Sequence, residues 1–440
     1  MSDPPTVSPG TALAGPAVVG SDRRRPPTAP RGGRVASLGL PLLCATGWIL
    51  WAYLRLRPPA SVTSTHPPLA RYGPWAYSHL AYSDILRLYL VHHLADHSFP
   101  YVHTVIEYPV LTGLFMWGAA WIPGVGGYFL ASCLGLLVCA WGCVVCLHRI
   151  APRCAWIFAL SPLLLVYSLL NWDLLAVFFM LAGWDCFRRR RFVWSGVLLS
   201  LGVCSKFFPV MLLLFCVVSC WADGDDRAAR RGAATMSFSA ILTALVLNVP
   251  FALANFAGWA DFFRFNATRG DGVGLLYQLH LASAWPIGVV DAVSAVLVLA
   301  TVVVLGRWVL RGASPAFAAA AGFAVLMLLN KVFSPQYMLW VLVYGLLGEW
   351  PGWTLATVTT VGLADYADAF ITLHLMAVRA DAYKWYLQTV FPLDRALRSA
   401  AIGCGLVASV WERRRRPTAR PRPGTRIPPP RPEVVSGPTR

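Results

Sequence analysis

Only three of the 37 Lys and Arg residues in this chain are lysines: Lys206, Lys331 and Lys384. The first two stand inside apolar sequence, in CSKFFPV and LLNKVFSPQY. A lysine within a membrane costs about 2.5–3.5 kcal/mol on insertion scales, so it needs either an ion-pair partner or a ligand. Two readings of these lysines stay open. They form structural salt bridges, with Asp173 or Glu107 as acids, or they hold an anion at the outer leaflet. Arg269, in FAGWADFFRFNATRGDGVG, either joins the same anion or is an ordinary exposed loop arginine. Asp84, in YSDILRLYL, caps a helix or accepts a proton from a hydroxyl brought within hydrogen-bond distance. Asp365, Asp368 and Asp381 read as solvated loop acids. No HExxH, Walker, nucleophile-elbow or Cys/His zinc pattern is present, so neither a metal nor a cofactor is expected.

The elements that must position these residues are helices in a bilayer. The 440 residues are 57% hydrophobic and 13% charged, about half the charge fraction of a soluble domain. Apolar residues come in blocks of helical length, near 37–54, 107–122, 128–147, 154–169, 172–187, 192–204, 207–220, 235–255, 285–306, 315–330, 337–349, 352–365 and 395–411. The blocks are continuous rather than alternating, which predicts an all-α, polytopic integral membrane protein with about twelve transmembrane helices. Residues 1–36 and 412–440, rich in Pro and Arg, read as disordered cytoplasmic tails around a membrane domain at 37–411. The first block lacks a small-residue cleavage site and reads as an anchor helix rather than a cleaved signal peptide.

The formal charge of +17 raises the question of nucleic acid, and its placement answers it. Arg23–Arg25, Arg31 and Arg34, then Arg188–Arg191, then Arg227, Arg230 and Arg231, then Arg307 and Arg311, then Arg413–Arg416 flank apolar blocks. This is the positive-inside pattern, and no nucleic-acid partner is expected. It places both termini in the cytoplasm and the stretches 55–106 and 256–284 outside. Within the first, Ile85, Leu86, Tyr89, Leu90 and Leu94 fall on one face of a helix over 82–97 that lies at the membrane interface. Basic clusters at both ends of 192–220 require a hairpin turning at Ser205–Pro209, with Lys206 at its outer tip. Five blocks precede Arg188 where parity demands an even number, so 107–122 or 154–169 must be re-entrant. The eleven cysteines lie within or beside apolar blocks and read as small packing residues, without disulfides in the outer loops.

Three stretches in series, YSDILRLY…FPYVHTVIEYPVLTGLF (82–115), SKFFPVMLLL (205–214) and NKVFSPQYMLW (330–340), resemble the blocks of glycosyltransferase family 87. These are GT-C-type mannosyltransferases that use polyprenyl-phosphate-mannose, among them the actinobacterial phosphatidylinositol-mannoside enzymes. The resemblance implies a GT-C-type fold with an extracytoplasmic interfacial helix after the first span. It implies a plasma-membrane enzyme with an extracytoplasmic site, moving a mannose-type sugar to a glycolipid or polysaccharide acceptor with inversion. Asp84 matches the family's catalytic base. Lys206 matches the lysine at the carrier phosphate, with Lys331 and Arg269 as further phosphate ligands. Glu107, Tyr108, Gln336 and His280 are candidates for holding sugar or acceptor; by residue type alone Glu107 is equally a helix cap and His280 a packed loop histidine. Asn171-Trp172-Asp173 departs from the Gly-Gln-rich turn that the family leads one to expect. A lipid phosphate leaves readily, so one base and cations suffice, without the paired carboxylates of glycoside hydrolysis. The competing readings are a lipid or solute transporter and a non-catalytic scaffold. A transporter would often show inverted repeats and midplane polar residues, whereas here the polar residues gather at one face.

Overall fold

The computed structural model describes residues 31–63, 68–222, 227–269, 274, 285–379 and 381–415. Residues 1–30, 64–67, 223–226, 270–273, 275–284 (with His280), 380 and 416–440 lie outside them. Among the described residues the secondary structure is helical, with one isolated bridge between Pro100 and Thr104 in place of any strand. Helices α1 (Arg31–Leu56), α2 (Ala60–Thr63), α3 (Pro68–Ser78) and α4 (Asp84–Val91) lead to α5 (Val110–Ala119), α6 (Gly124–Ile150), α7 (Pro152–Leu160) and α8 (Leu163–Tyr167). Then come α9 (Asp173–Arg188), α10 (Phe192–Ser205), α11 (Val210–Ala222), α12 (Arg227–Ala254) and α13 (Phe256–Thr268). The last five are α14 (Ile287–Leu310), α15 (Pro315–Leu329), α16 (Tyr337–Leu347), α17 (Gly352–Ala377) and α18 (Ala382–Arg415).

Among the described residues four stretches are long and apolar enough to cross a bilayer: Leu38–Leu56, Gly124–Ile150, Ala229–Ala254 and Ile287–Leu310. At about 1.5 Å per residue each reaches or approaches the roughly 30 Å of a hydrocarbon core. Several other apolar helices are shorter, and two of them bear on the parity problem. α5 has ten residues and rises about 15 Å, half a bilayer. The block at 154–169 is broken at Ser161-Pro162 into α7 and α8. Neither forms an uninterrupted span, because Pro109 and Pro123 confine the first to a short run and Pro162 divides the second. α16 is apolar all round and buried from Met338 to Leu347, as a helix hydrophobic on every face should be. α14 is the opposite case, with little of its surface covered by protein and Val296, Leu299 and Val303 exposed, so it presents its side chains to lipid.

Two packing neighbourhoods meet beside the loops. α9, α10 and α12 pack together, with α6 bridging α9 to α1. α11, α14 and α15 form a second group, with α16, α17 and α18 behind it. The hairpin expected at 192–220 appears as α10 and α11 joined by Lys206–Pro209. That turn is tied down from both sides: Thr112 Oγ1 donates to the Ser205 carbonyl at 2.8 Å, and Tyr344 OH donates to the Phe208 carbonyl at 2.7 Å. The interfacial helix is shorter than its apolar face suggested. α4 stops at Val91, and its buried residues are Ile85, Leu86, Leu88 and Tyr89, with Leu94 in a following 3-10 turn. His93 and His97 at φ 49° and 53° bend the chain away, which periodicity could not show.

Asp365 and Asp368 are not solvated loop acids. Hydropathy ends the preceding block at 365, yet α17 continues to Ala377 and carries both inward. They meet Arg395 and Arg398 of α18: Arg398 Nη1 lies 2.8 Å from Asp365 Oδ1 and Arg395 Nη1 2.7 Å from Asp368 Oδ2, with Asp394 against Arg395 as well. Asp381, between the two helices, is exposed as expected. Removing one partner of a buried ion cluster costs about 3–5 kcal/mol because the remaining charge is stranded. Arg398→Met should therefore lower the thermal unfolding midpoint of the detergent-purified protein well beyond Arg379→Met, a change at an exposed site. Equal midpoints for the two variants would show that the cluster does not hold α17 to α18.

Candidate active site

Asp84 owes its place to a clamp on both sides. Leu80, at φ 50°, turns the chain sharply after α3, and its carbonyl accepts from Arg55 of α1 and from Tyr366 OH of α17. The next turn is sewn to the segment before α9. Ser83 Oγ donates to the Leu169 carbonyl at 2.6 Å, and the Asp84 N–H donates to the Leu170 carbonyl at 2.7 Å. The Asp84 carboxylate then accepts from two phenols, Tyr82 OH at 2.8 Å on Oδ1 and Tyr108 OH at 3.2 Å on Oδ2. Burial pushes its pKa above the ordinary carboxylate value, against the two phenol hydrogen bonds and the charge of Lys206, which pull it down.

Glu107 is tuned the other way. Burial alone would raise its pKa, but His92 Nε2 lies 2.6 Å from Glu107 Oε2, and that hydrogen bond and charge hold the acid below its ordinary range. Two carboxylates on one wall thus differ in proton affinity: Asp84 is the stronger base and Glu107 the more firmly ionised group.

Lys206 follows the end of α10 in an extended conformation. Its Nζ lies 2.5 Å from Asp173 Oδ1, with Asp173 wholly buried and the lysine side chain 11% exposed. The ammonium sits 5.0 Å from the centre of the Tyr108 ring and 5.3 Å from that of Trp340. Each such contact adds about 0.5–2 kcal/mol.

These groups open onto a cavity of about 500 Å³. Asp84, Glu107 and Tyr108 line it, together with Lys206, Phe207 and Phe208 of the turn between α10 and α11. Phe262, Phe263, Asn266 and Arg269, from α13 and its end, face the cavity, as do Asn330, Ser334 and Gln336 ahead of α16. Phe207 stacks on Phe262 at 5.5 Å, so part of the wall is aromatic and apolar while the rest is polar and charged. Ser334 Oγ lies 2.5 Å from Gln336 Oε1. Such a chamber matches an amphiphile with a polar, hydroxyl-rich head.

Of the three cations expected to converge, Lys206 and Arg269 line the cavity. Lys331 does not: its Nζ pairs with Asp291 at 2.9 Å and donates to the Ala267 carbonyl at 3.1 Å, which holds it beside α13 and α14. Asp84, Glu107, Tyr108 and Gln336 all reach the wall. Tyr82, Asp173 and Trp340 were not singled out as site residues, although Asp173 was weighed as a structural partner of Lys206. Nothing in an apolar run marks Trp340 as a neighbour of a lysine more than a hundred residues earlier. Among the described residues no group of three or more His, Cys, Asp or Glu is gathered to hold a metal ion.

Among curated proteins none matches this chain. The sequence pattern of glycosyltransferase family 87 matches residues 106–335, more than half of the chain. The matched region takes in Glu107, Tyr108, Lys206, Arg269 and Lys331, with Asp84 just ahead of it and Gln336 just past its end. The chain, helical among its described residues, is a glycosyltransferase and belongs to glycosyltransferase family 87.

Proposed function

We propose that this glycosyltransferase takes its sugar, a mannose-type hexose, from a polyprenyl-phosphate donor and delivers it with inversion to a glycolipid or cell-envelope glycan outside the plasma membrane. The observation that carries the reading is that Asp84, Glu107 and Lys206 line one cavity, with Asp84 bonded to the same Tyr108 whose ring lies 5.0 Å from the Lys206 ammonium. Asp84 takes the proton of the acceptor hydroxyl. The oxygen attacks the anomeric carbon, and the bond from that carbon to the phosphate oxygen breaks on the opposite side. The electron pair leaves on polyprenyl phosphate, whose charge Lys206 and Arg269 meet. One displacement inverts the centre, so a β-linked donor yields an α-linked product. Glu107, ionised and held by His92, accepts hydrogen bonds from acceptor or sugar hydroxyls together with Gln336. The aromatic wall of Phe207 and Phe262 suits the first isoprene units. Lys331, tied to Asp291, serves the site by fixing the chain ahead of Ser334. The basic clusters flanking the apolar blocks support cytoplasmic termini and an outward-facing cavity.

Asp84→Asn keeps the side chain's shape and removes its basicity. Transfer of labelled sugar from polyprenyl-phosphate-mannose by the purified protein should fall about 10²–10⁴-fold, the range for loss of a general base. Glu107→Gln should cost less and act chiefly on the acceptor KM. Near wild-type turnover in Asp84→Asn would move the role of base to Glu107. Absence of transfer from any polyprenyl-phosphate sugar, with lipid moved across vesicles instead, would replace the enzyme reading with a transporter.

The acid side of the pH profile tests the same residue. A base works deprotonated, so kcat/KM should fall as pH drops through the raised Asp84 pKa, above the usual value of about 3.9 for an aspartate. Tyr82→Phe removes a hydrogen bond that favours the carboxylate, so it should move that limb to higher pH. An unmoved or lower limb would disconnect the profile from Asp84.

A further inference from the structure

Asp173 does not line the cavity, yet it touches the one cation that the hairpin tip brings there. It begins α9 with its side chain wholly buried. Its N–H is capped by Asn171 Oδ1 at 3.0 Å. The Trp340 side chain also approaches its carboxylate. The segment just before it is the one that Ser83 and Asp84 bond through the Leu169 and Leu170 carbonyls. Asp173 and Asp84 are thus built on one frame, and Lys206 is attached to that frame by the ion pair.

A buried ion pair is a poor way to gain stability, because desolvation of two charges consumes most of the attraction; an apolar pair would serve as well. The pair is also lopsided. The acid is sealed away, while Lys206, its ammonium flanked by Tyr108 and Trp340, lines the cavity. An ammonium has three N–H donors, and one directed at Asp173 leaves two for a ligand.

We infer that Asp173 is a positioning residue of the donor site: it anchors the Lys206 ammonium at the cavity wall, in register with Asp84, where the donor's phosphate binds. This rests on the reading of Lys206 as the phosphate-binding cation, and it gives the Asn171-Trp172-Asp173 turn a task. Asp173 touches neither sugar nor phosphate; it acts through the lysine. Without it the lysine keeps its charge but loses its fixed place, so donor affinity suffers more than turnover of bound donor.

The test uses full-length protein in detergent, reading donor KM, kcat, and the rise in unfolding temperature caused by polyprenyl monophosphate. Asp173→Asn should raise donor KM about tenfold or more, the worth of a hydrogen bond to a charged group, and shrink the stabilisation by polyprenyl monophosphate. Asp173→Glu keeps the charge but displaces the ammonium by one methylene, and should raise donor KM with kcat less affected; it decides the matter if Asp173→Asn does not fold. Lys206→Met alone strands a buried carboxylate, so the double variant Asp173→Asn/Lys206→Met, which removes both charges, should be more stable than Lys206→Met. Its stabilisation by polyprenyl monophosphate should be as weak as that of Lys206→Met, and its donor KM within about twofold of that variant's, because residues acting through one contact are not additive. Wild-type donor KM in both Asp173 variants would overturn the inference and leave Lys206 as the phosphate ligand. A double variant that still binds polyprenyl monophosphate as wild type does would overturn the reading of Lys206 itself.

Discussion

The contact between Lys206 and Asp173 is the constraint around which this protein is organised. In an apolar interior neither charge is tolerable alone, so the hairpin tip carrying the lysine and the helix start carrying the aspartate cannot separate without stranding one of them. Everything near the cavity is referred to that contact. The turn is bonded to α5 through Thr112 and to α16 through Tyr344, and the loop before α9 is bonded to the start of α4. Two packing neighbourhoods that would otherwise meet only through lipid-like surfaces therefore share a polar joint. The cavity lies at that joint, with Lys206 among its lining residues.

The joint also explains how one small chamber can hold acids of different strength. Asp84 receives two phenolic donors and the charge of Lys206, yet burial prevails over them. Glu107, some twenty residues away in sequence, has a histidine against it, and burial loses. The difference arises from neighbours rather than from the acids themselves, in the manner of other sites where two carboxylates divide acid and base roles. Aromatic residues do most of this work. Tyr108 alone bonds Asp84 and lies beside Lys206, so base and cation are coupled through a single ring.

Much of the architecture was legible because it follows from the solvent. Continuous apolar blocks meant helices, basic clusters meant a hairpin at 192–220, and lysines in apolar sequence meant a shared site or a buried partner. Lys206 turned out to have both a cavity and a partner. What stayed hidden was what depends on tertiary approach. Arg395 and Arg398 fall inside the block read as apolar over 395–411, and only their meeting with Asp365 and Asp368 shows α17 as a long helix with charged residues inside. Lys331 looked equivalent to Lys206 by composition. Asp291, forty residues earlier in a different helix, separates their roles. The left-handed residues His93 and His97 that end the interfacial helix have no glycine to announce them.

The clamp on Leu80 has a consequence for how the protein comes into being. Its second jaw, Tyr366, lies 286 residues further along the chain. At about 5–20 residues per second, a ribosome needs roughly 15–60 s to travel from one to the other. During that interval the Leu80 carbonyl has Arg55 as a donor but not yet Tyr366. The nascent chain therefore carries cavity residues before it carries the geometry that makes them a site. A chain ending before α17 therefore lacks the Tyr366 hydrogen bond that fixes the turn ahead of Asp84.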